Sequence, residues 1–170
     1  LCTSGLYSTW TTYPFITPCA AVNVPYTENF STVTTPALPA CMSKIDVNGG
    51  NEWITDSSVT CTPTKALVYR YNSTIPGDDW VFTPGLNLTA GVPYELSFDY
   101  KGCSTSDVEK LEIKYGNANG IGAMSNLLYS NVNISGTTYQ AARAGFTPTV
   151  SGVYYIGFHV ISAANQFNLS

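Results

Sequence analysis

Charge is what this chain has least of. Only 11% of its 170 residues are Asp, Glu, Lys or Arg, against roughly a quarter in an ordinary soluble domain. Seven Lys and Arg set against eleven acids leave a net charge of −4. Nucleic acid is therefore excluded as a partner, because binding a phosphate backbone needs clustered cations. The Leu/Ala/Glu/Lys stock of helical proteins is thin as well, and we expect no helix. No run of about 18 apolar residues occurs, so no direct membrane insertion is expected. The chain opens Leu1-Cys2-Thr3-Ser4, without the basic start and apolar core of a signal peptide. It reads as an excised piece of a longer mature protein. A single His, far from any Cys, and the lack of CxxC spacing weigh against zinc. Neither Gly-x-Ser-x-Gly, HExxH nor a phosphate loop is found. Glu95 and Asp99 share a strand face but stand about 13 Å apart, too far for a glycosidase pair. We expect no enzyme.

What the chain does have is Thr, Ser, Asn, Gly and Tyr, a composition suited to strands and turns. The clearest pattern is Tyr94 to Tyr100, where Tyr94, Leu96, Phe98 and Tyr100 alternate with Glu95, Ser97 and Asp99. A period of two is the mark of a half-buried strand. A second strand is predicted over Asp78 to Pro84, with Leu86 to Gly91 as a polar turn between the two. Further strands are predicted at Val24–Phe30, Cys41–Val47, Ala66–Tyr71, Val108–Tyr115, Asn126–Ile134, Thr138–Phe146 and Val153–Ile161. Gln166 to Ser170 begins a last one. Leu111, Ile113 and Tyr115 face inward and Lys110, Glu112 and Lys114 outward, which predicts antiparallel pairing with one wet face. About nine strands predict an all-β, two-sheet antiparallel sandwich. Size favours a jelly roll over an immunoglobulin-like fold.

Five cysteines in an acidic, Thr/Asn-rich chain point to an oxidising, extracellular or cell-surface setting. Cys41 and Cys61 flank the hairpin around Trp53 and form a candidate disulfide; Cys103 is left unpaired. Asn29, Asn72, Asn87, Asn133 and Asn168 each begin an Asn-x-Ser/Thr sequon, a glycan acceptor in a eukaryotic secreted protein or a product of composition. Calcium is the one cofactor to consider, since it takes six to eight oxygen ligands from flexible loops. Asp46, Asn48 and Asn51 share one Gly-bearing loop. Asp78 and Asp79 are adjacent like charges that a cation would relieve. Ordinary Asx-turn chemistry is the alternative. His159 reads as a structural histidine. For a glycan, stacking rings with amide neighbours are wanted, and Tyr115, Tyr129 and Tyr139 beside the loop of Asn117 are the candidates; packing of these tyrosines in the sheet is the alternative.

The series Pro25-Tyr26-Thr27-Glu28-Asn29-Phe30, Leu38-Pro39-Ala40-Cys41, Asp79-Trp80-Val81-Phe82-Thr83-Pro84, Leu88-Thr89-Ala90-Gly91-Val92-Pro93-Tyr94 and Glu109-Lys110-Leu111-Glu112-Ile113 resembles the cleaved-adhesin and choice-of-anchor J jelly-roll modules, which are similar to MAM domains. The resemblance runs from about residue 22 to 169. It implies a non-catalytic module, residues 20–170, of a large secreted Bacteroidota protein exported by type IX secretion. Its partners would be glycans or extracellular proteins, beside neighbouring modules of the same chain. A structural spacer, or an accessory domain of a secreted hydrolase, is the alternative. The resemblance also implies that Glu28 is a calcium ligand, joining Asp46, Asn48 and Asp79. Residues 1–19, with Trp10, Tyr13 and Phe15 in strand spacing before Thr17-Pro18-Cys19, resemble the last strand of a fibronectin type III module. That reading implies a Cys2–Cys19 disulfide; an edge strand of the main domain is the alternative.

Overall fold

A computed structural model describes residues 19–57 and 65–170. The expected fibronectin-like tail, Cys2 and Cys61 lie outside the described residues, as Cys19 alone of that stretch does not.

The chain folds as an all-β sandwich of two layers. In the first, β5 (Trp80–Phe82) and β6 (Leu86–Leu88) lie end to end along one side of β11 (Gly152–Val160), and β8 (Glu109–Gly116) then β9 (Asn126–Ile134) continue from its other side. β2 (Ser43–Ile45) flanks β5, and β1 (Val22–Asn23) flanks β6. Among the described residues only the β1–β6 pairing is parallel. In the second layer β7 (Tyr94–Tyr100) pairs with β10 (Gln140–Phe146), and β3 (Trp53–Asp56) with β4 (Ala66–Tyr69). Leu169 bridges Tyr69 on one side and Gly102 on the other, tying the two strand pairs together.

Inward side chains explain the pairing. Leu111 and Ile113 of β8, Ile156 and Val160 of β11 and Val81 of β5 meet Trp53, Tyr69 and Tyr100 of the facing layer. Each such side chain contributes about 1.5–3 kcal/mol by leaving water. The first layer is covered outside as well. Trp80 and Phe82 stack 5.8 Å apart on its outer face, capped by Met124 from the turn at Ile121–Ala123. Tyr155 joins them, so β11 is covered on both faces, as its unbroken apolar run predicts.

Several expectations change. The two strands predicted around the polar turn belong to opposite layers, and that turn contains β6, whose Leu86 and Leu88 are buried. The segment predicted as a first strand over Val24–Phe30 forms none; the two-residue β1 ends just before it, at Asn23. Pro25 has no N–H to give a ladder, and Phe30 sits at φ 60. The disulfide pairing differs too. Cys19 joins Cys41, with Cα atoms 5.5 Å apart, in place of Cys2–Cys19 and Cys41–Cys61. β1 and β2 both dock along the β5–β6 edge, so the cysteines preceding them meet. Cys103, predicted unpaired, is also disulfide-bonded.

Candidate functional site

The four residues predicted to hold a glycan are not gathered on one surface. Tyr115 turns into the sandwich, its ring 4.7 Å from Phe146 and 6.0 Å from Tyr154. Tyr129 meets Tyr100 hydroxyl to hydroxyl at 2.5 Å and sets its ring edge-on to Phe98. Burial, then the Tyr100 contact, pushes its phenol up to about 12. Only Tyr139 and Asn117 face water. The Tyr139 ring lies 4.6 Å under Lys101 Nζ, and its hydroxyl is 3.1 Å from Ser170 Oγ.

Of the predicted calcium ligands, Asp46, Asn48 and Asp79 converge and Glu28 stands apart. Asp79 is wholly buried; its Oδ1 accepts the Val47 N–H at 3.1 Å and its Oδ2 has no partner. Burial, with Asp46 and Asp78 nearby, raises its carboxyl to about 6, against the pull of the Val47 bond. Asp46 Oδ1 accepts the Asn48 and Gly49 N–H groups, an Asx turn. Glu28 Oε1 accepts the Phe30 N–H at 2.5 Å. Among the described residues no group of three or more His, Cys, Asp or Glu is placed to hold a metal ion. The donor set at Asp79 falls short of a calcium cage on its own.

His159 stacks on Trp80 at 4.0 Å, bonds Asp78 Oδ1 at 2.7 Å through Nε2, and has Glu112 at 3.8 Å from Nδ1. Burial lowers its pKa although both carboxylates oppose that. A His–carboxylate pair orients a proton, but the sequence offers no nucleophile motif to use it.

Two depressions stand out among the described residues. One is an apolar cleft of about 870 Å³ between the edges of β4 and β7, bounded by Val24–Phe30. The other is a polar basin of about 520 Å³ lined by Asn51, Asp56, Arg70, Tyr71, Asn72, Ser73 and Asn168. In the basin Arg70 pairs with Asp56 at 2.7 Å, Asn51 Nδ2 donates to the Tyr71 carbonyl at 2.5 Å, and the Tyr71 N–H donates to Asn168 Oδ1 at 3.1 Å. These bonds fix the walls. Tyr71 rests one ring face on Phe167, 5.5 Å away and nearly parallel, yet stays 36% exposed. Among the described residues its hydroxyl and the Nδ2 groups of Asn72 and Asn168 have no protein partner, while both Oδ1 atoms accept backbone N–H groups. Sequence reading missed this site. Its signal was the polar run Arg70-Tyr71-Asn72-Ser73 ending a strand, which composition alone assigns to a turn.

No protein-family model matches the chain, and no curated protein matches it by sequence. Solved structures do. The K1 cleaved adhesin domain of Lys-gingipain from Porphyromonas gingivalis W83 superposes with a TM-score of 0.65 at 16% identity, covering 78% of this chain and 87% of that one. The K3 cleaved adhesin domain of the same protein gives 0.62 at 16% identity, over 77% and 88%. The carbohydrate-binding module TmCBM61, solved with β-1,4-galactotriose, gives 0.53 at 13% identity, over 76% and 83%. At these identities the likeness is one of fold.

Proposed function

We propose that this chain is a non-catalytic binding module of an extracellular or cell-surface protein, and that it takes a neutral glycan in the basin around Tyr71. The basin itself carries the reading: a half-exposed ring on a rigid support, ringed by amide and hydroxyl groups with hydrogen-bonding capacity to spare. A sugar presents an apolar face to such a ring and hydroxyls to such groups, so unspent donors near the platform supply orientation. The adhesin and carbohydrate-binding folds among the neighbours support the same class. Secretion by the type IX route and adhesion to a host or environmental polymer belong to this proposal. So does calcium, carried forward at Asp46 and Asp79, where a cation would answer the unpartnered oxygen.

A glycan array on the module, followed by titration of its best ligand, tests the reading. Tyr71→Ala should weaken binding by about 1–3 kcal/mol, the range of a lost stacking and packing contact. Asn168→Asp should weaken it less. Tyr115→Ala, at the sequence-predicted position, should act only through stability. An array without signal, or one whose ligand binds Tyr71→Ala as tightly as the parent, would overturn the assignment.

A further inference from the structure

The hydrogen bonds that build the basin around Tyr71 also decide which polar atoms are left for a ligand. Asn72 Oδ1 accepts the N–H groups of Thr74 and Ile75, at 2.9 and 3.1 Å, and the Thr74 hydroxyl at 3.1 Å. Asn168 Oδ1 accepts the Tyr71 N–H at 3.1 Å. A backbone N–H can only donate, so neither amide can be turned round. Both therefore keep Nδ2, a donor, as the free group. Asn51 is held the opposite way. Its Nδ2 donates to the Tyr71 carbonyl, which can only accept, so its Oδ1 remains as an acceptor.

The other polar groups are accounted for in the same way. The Tyr71 backbone is spent at both its N–H and its carbonyl, and the Asn72 carbonyl takes the Asn165 N–H at 2.9 Å. Asp56 uses Oδ1 on the Ser57 N–H and Oδ2 on Arg70. That ion pair leaves the lining without net charge. Arg70, its side chain half-exposed, keeps N–H groups beyond the one on Asp56. Among the described residues the free set is thus two amide donors and a guanidinium edge against one amide acceptor. The hydroxyls of Tyr71 and Ser73 can serve either way.

We infer, on the reading of this basin as the sugar site, that the sugar it takes is an N-acetylhexosamine. An acetamido group is a neutral substituent whose carbonyl accepts two bonds and whose N–H donates one. That is the complement of the Asn72 and Asn168 Nδ2 donors and the Asn51 Oδ1. Its methyl widens the apolar face laid on Tyr71. A plain hydroxyl in the same place is a poorer acceptor. It leaves a donor unanswered once the sugar has driven water from the basin, and an unanswered donor is costly. A carboxylate would also meet the donors. Asp56, however, already neutralises Arg70, so a second anion would be brought up against the first.

Matched oligosaccharides test this on the whole 170-residue chain. The pairs, of gluco and galacto configuration, differ only in acetamido against hydroxyl at the same ring carbon, and a uronate-bearing glycan forms a further arm. In titration calorimetry the acetamido member of at least one pair should bind at least about tenfold more tightly than its hydroxyl twin, the worth of one net hydrogen bond and a buried methyl. Asn72→Asp and Asn168→Asp each keep the inward Oδ1 and replace the free donor by an acceptor. Either should bring that ratio toward one, while binding of the hydroxyl twin changes less. Saturation-transfer NMR with the unaltered protein needs no variant to fold, and there the acetyl methyl should be the most strongly saturated group of the ligand. Twins bound equally, a uronate preferred, a weakly saturated methyl, or a ratio unmoved in both folded variants would each overturn the inference. Hydroxyl sugars bound as tightly as their acetamido twins, and lost in Tyr71→Ala, would leave the basin a sugar site and remove only this specificity. An array without any ligand would remove both.

Discussion

Asp79 is buried to the last square ångström, yet one of its oxygens has nothing to bond. Burial holds its carboxyl at about 6 in the folded chain, against an ordinary 3.8. Below the lower value both states are protonated and the group has no effect on stability. Between the two, the unfolded chain releases its proton while the folded chain keeps it, so stability falls as pH rises. Above about 6 the loss is complete, on the order of 3 kcal/mol. Glu109, 1% exposed and with both oxygens unpartnered, is raised in the same direction, chiefly by burial. His159 works the other way: burial lowers its pKa, so acidification through the histidine range costs stability. Asp79→Asn keeps an acceptor for the Val47 N–H and removes the titration. Its advantage over the parent in urea melts should be large at pH 7.5 and small at pH 4, in chelator. Parallel curves would refute the linkage. Added calcium should raise the parent's midpoint, and not that of Asp79→Asn, if the cation sits there; an unchanged parent midpoint removes the metal.

Strands whose neighbours alternate in polarity were legible from the sequence, and strands that depend on distant partners were not. β7 shows its period of two in every residue, and the structure follows it from Tyr94 to Tyr100. β9 runs from Asn126 to Ile134 as predicted, and β8 keeps Leu111 and Ile113 inward. β6 was invisible, because three residues within a polar stretch become a strand only when β11 and β1 take both of their edges. Tyr115 and Tyr129 misled for a related reason. Tyr serves equally as a sheet packer and a sugar platform, and only the facing rings of Phe146 and Phe98 decide which. The end of β8 supplies a prediction at this scale. A Cβ at Gly116 would lie 1.9 Å from the Ala123 carbonyl oxygen and 2.6 Å from its carbon, both backbone. Gly116→Ala must therefore displace the turn that brings Met124 over Trp80 and Phe82. We expect a loss of about 1–3 kcal/mol or more, read by thermal melting, with quenching of Trp80 fluorescence altered. Gly122→Ala, with open space around it, should change neither. A Gly116→Ala protein that melts with the parent would show the turn to be freer than its contacts indicate.

At the scale of the molecule, two sheets made of short pieces must be held by few long-range ties. The first layer is built on one eight-residue and two nine-residue strands, β8, β9 and β11, but β1, β2, β5 and β6 have two or three residues each. Such strands gain little from their own ladders and depend on what pins their ends. The Cys19–Cys41 bridge does this for β1 and β2, and its sequence separation of 22 closes a loop worth roughly 3 kcal/mol on chain-entropy grounds. Cysteine spacing could not reveal that pairing, because the two residues meet only after β1 and β2 have docked on a common edge. Replacing both cysteines, Cys19→Ser with Cys41→Ser, should lower stability by about 2–4 kcal/mol without dissolving the sandwich. The damage should also be local. Exchange at Asn23 and Lys44 should quicken far more than at Ile113 or Phe158, whose strands are paired on both sides. Uniform loss of protection across both layers would mean that the short edge strands and the central ones unfold as a single unit, and that the bridge holds the whole sandwich instead of its margin.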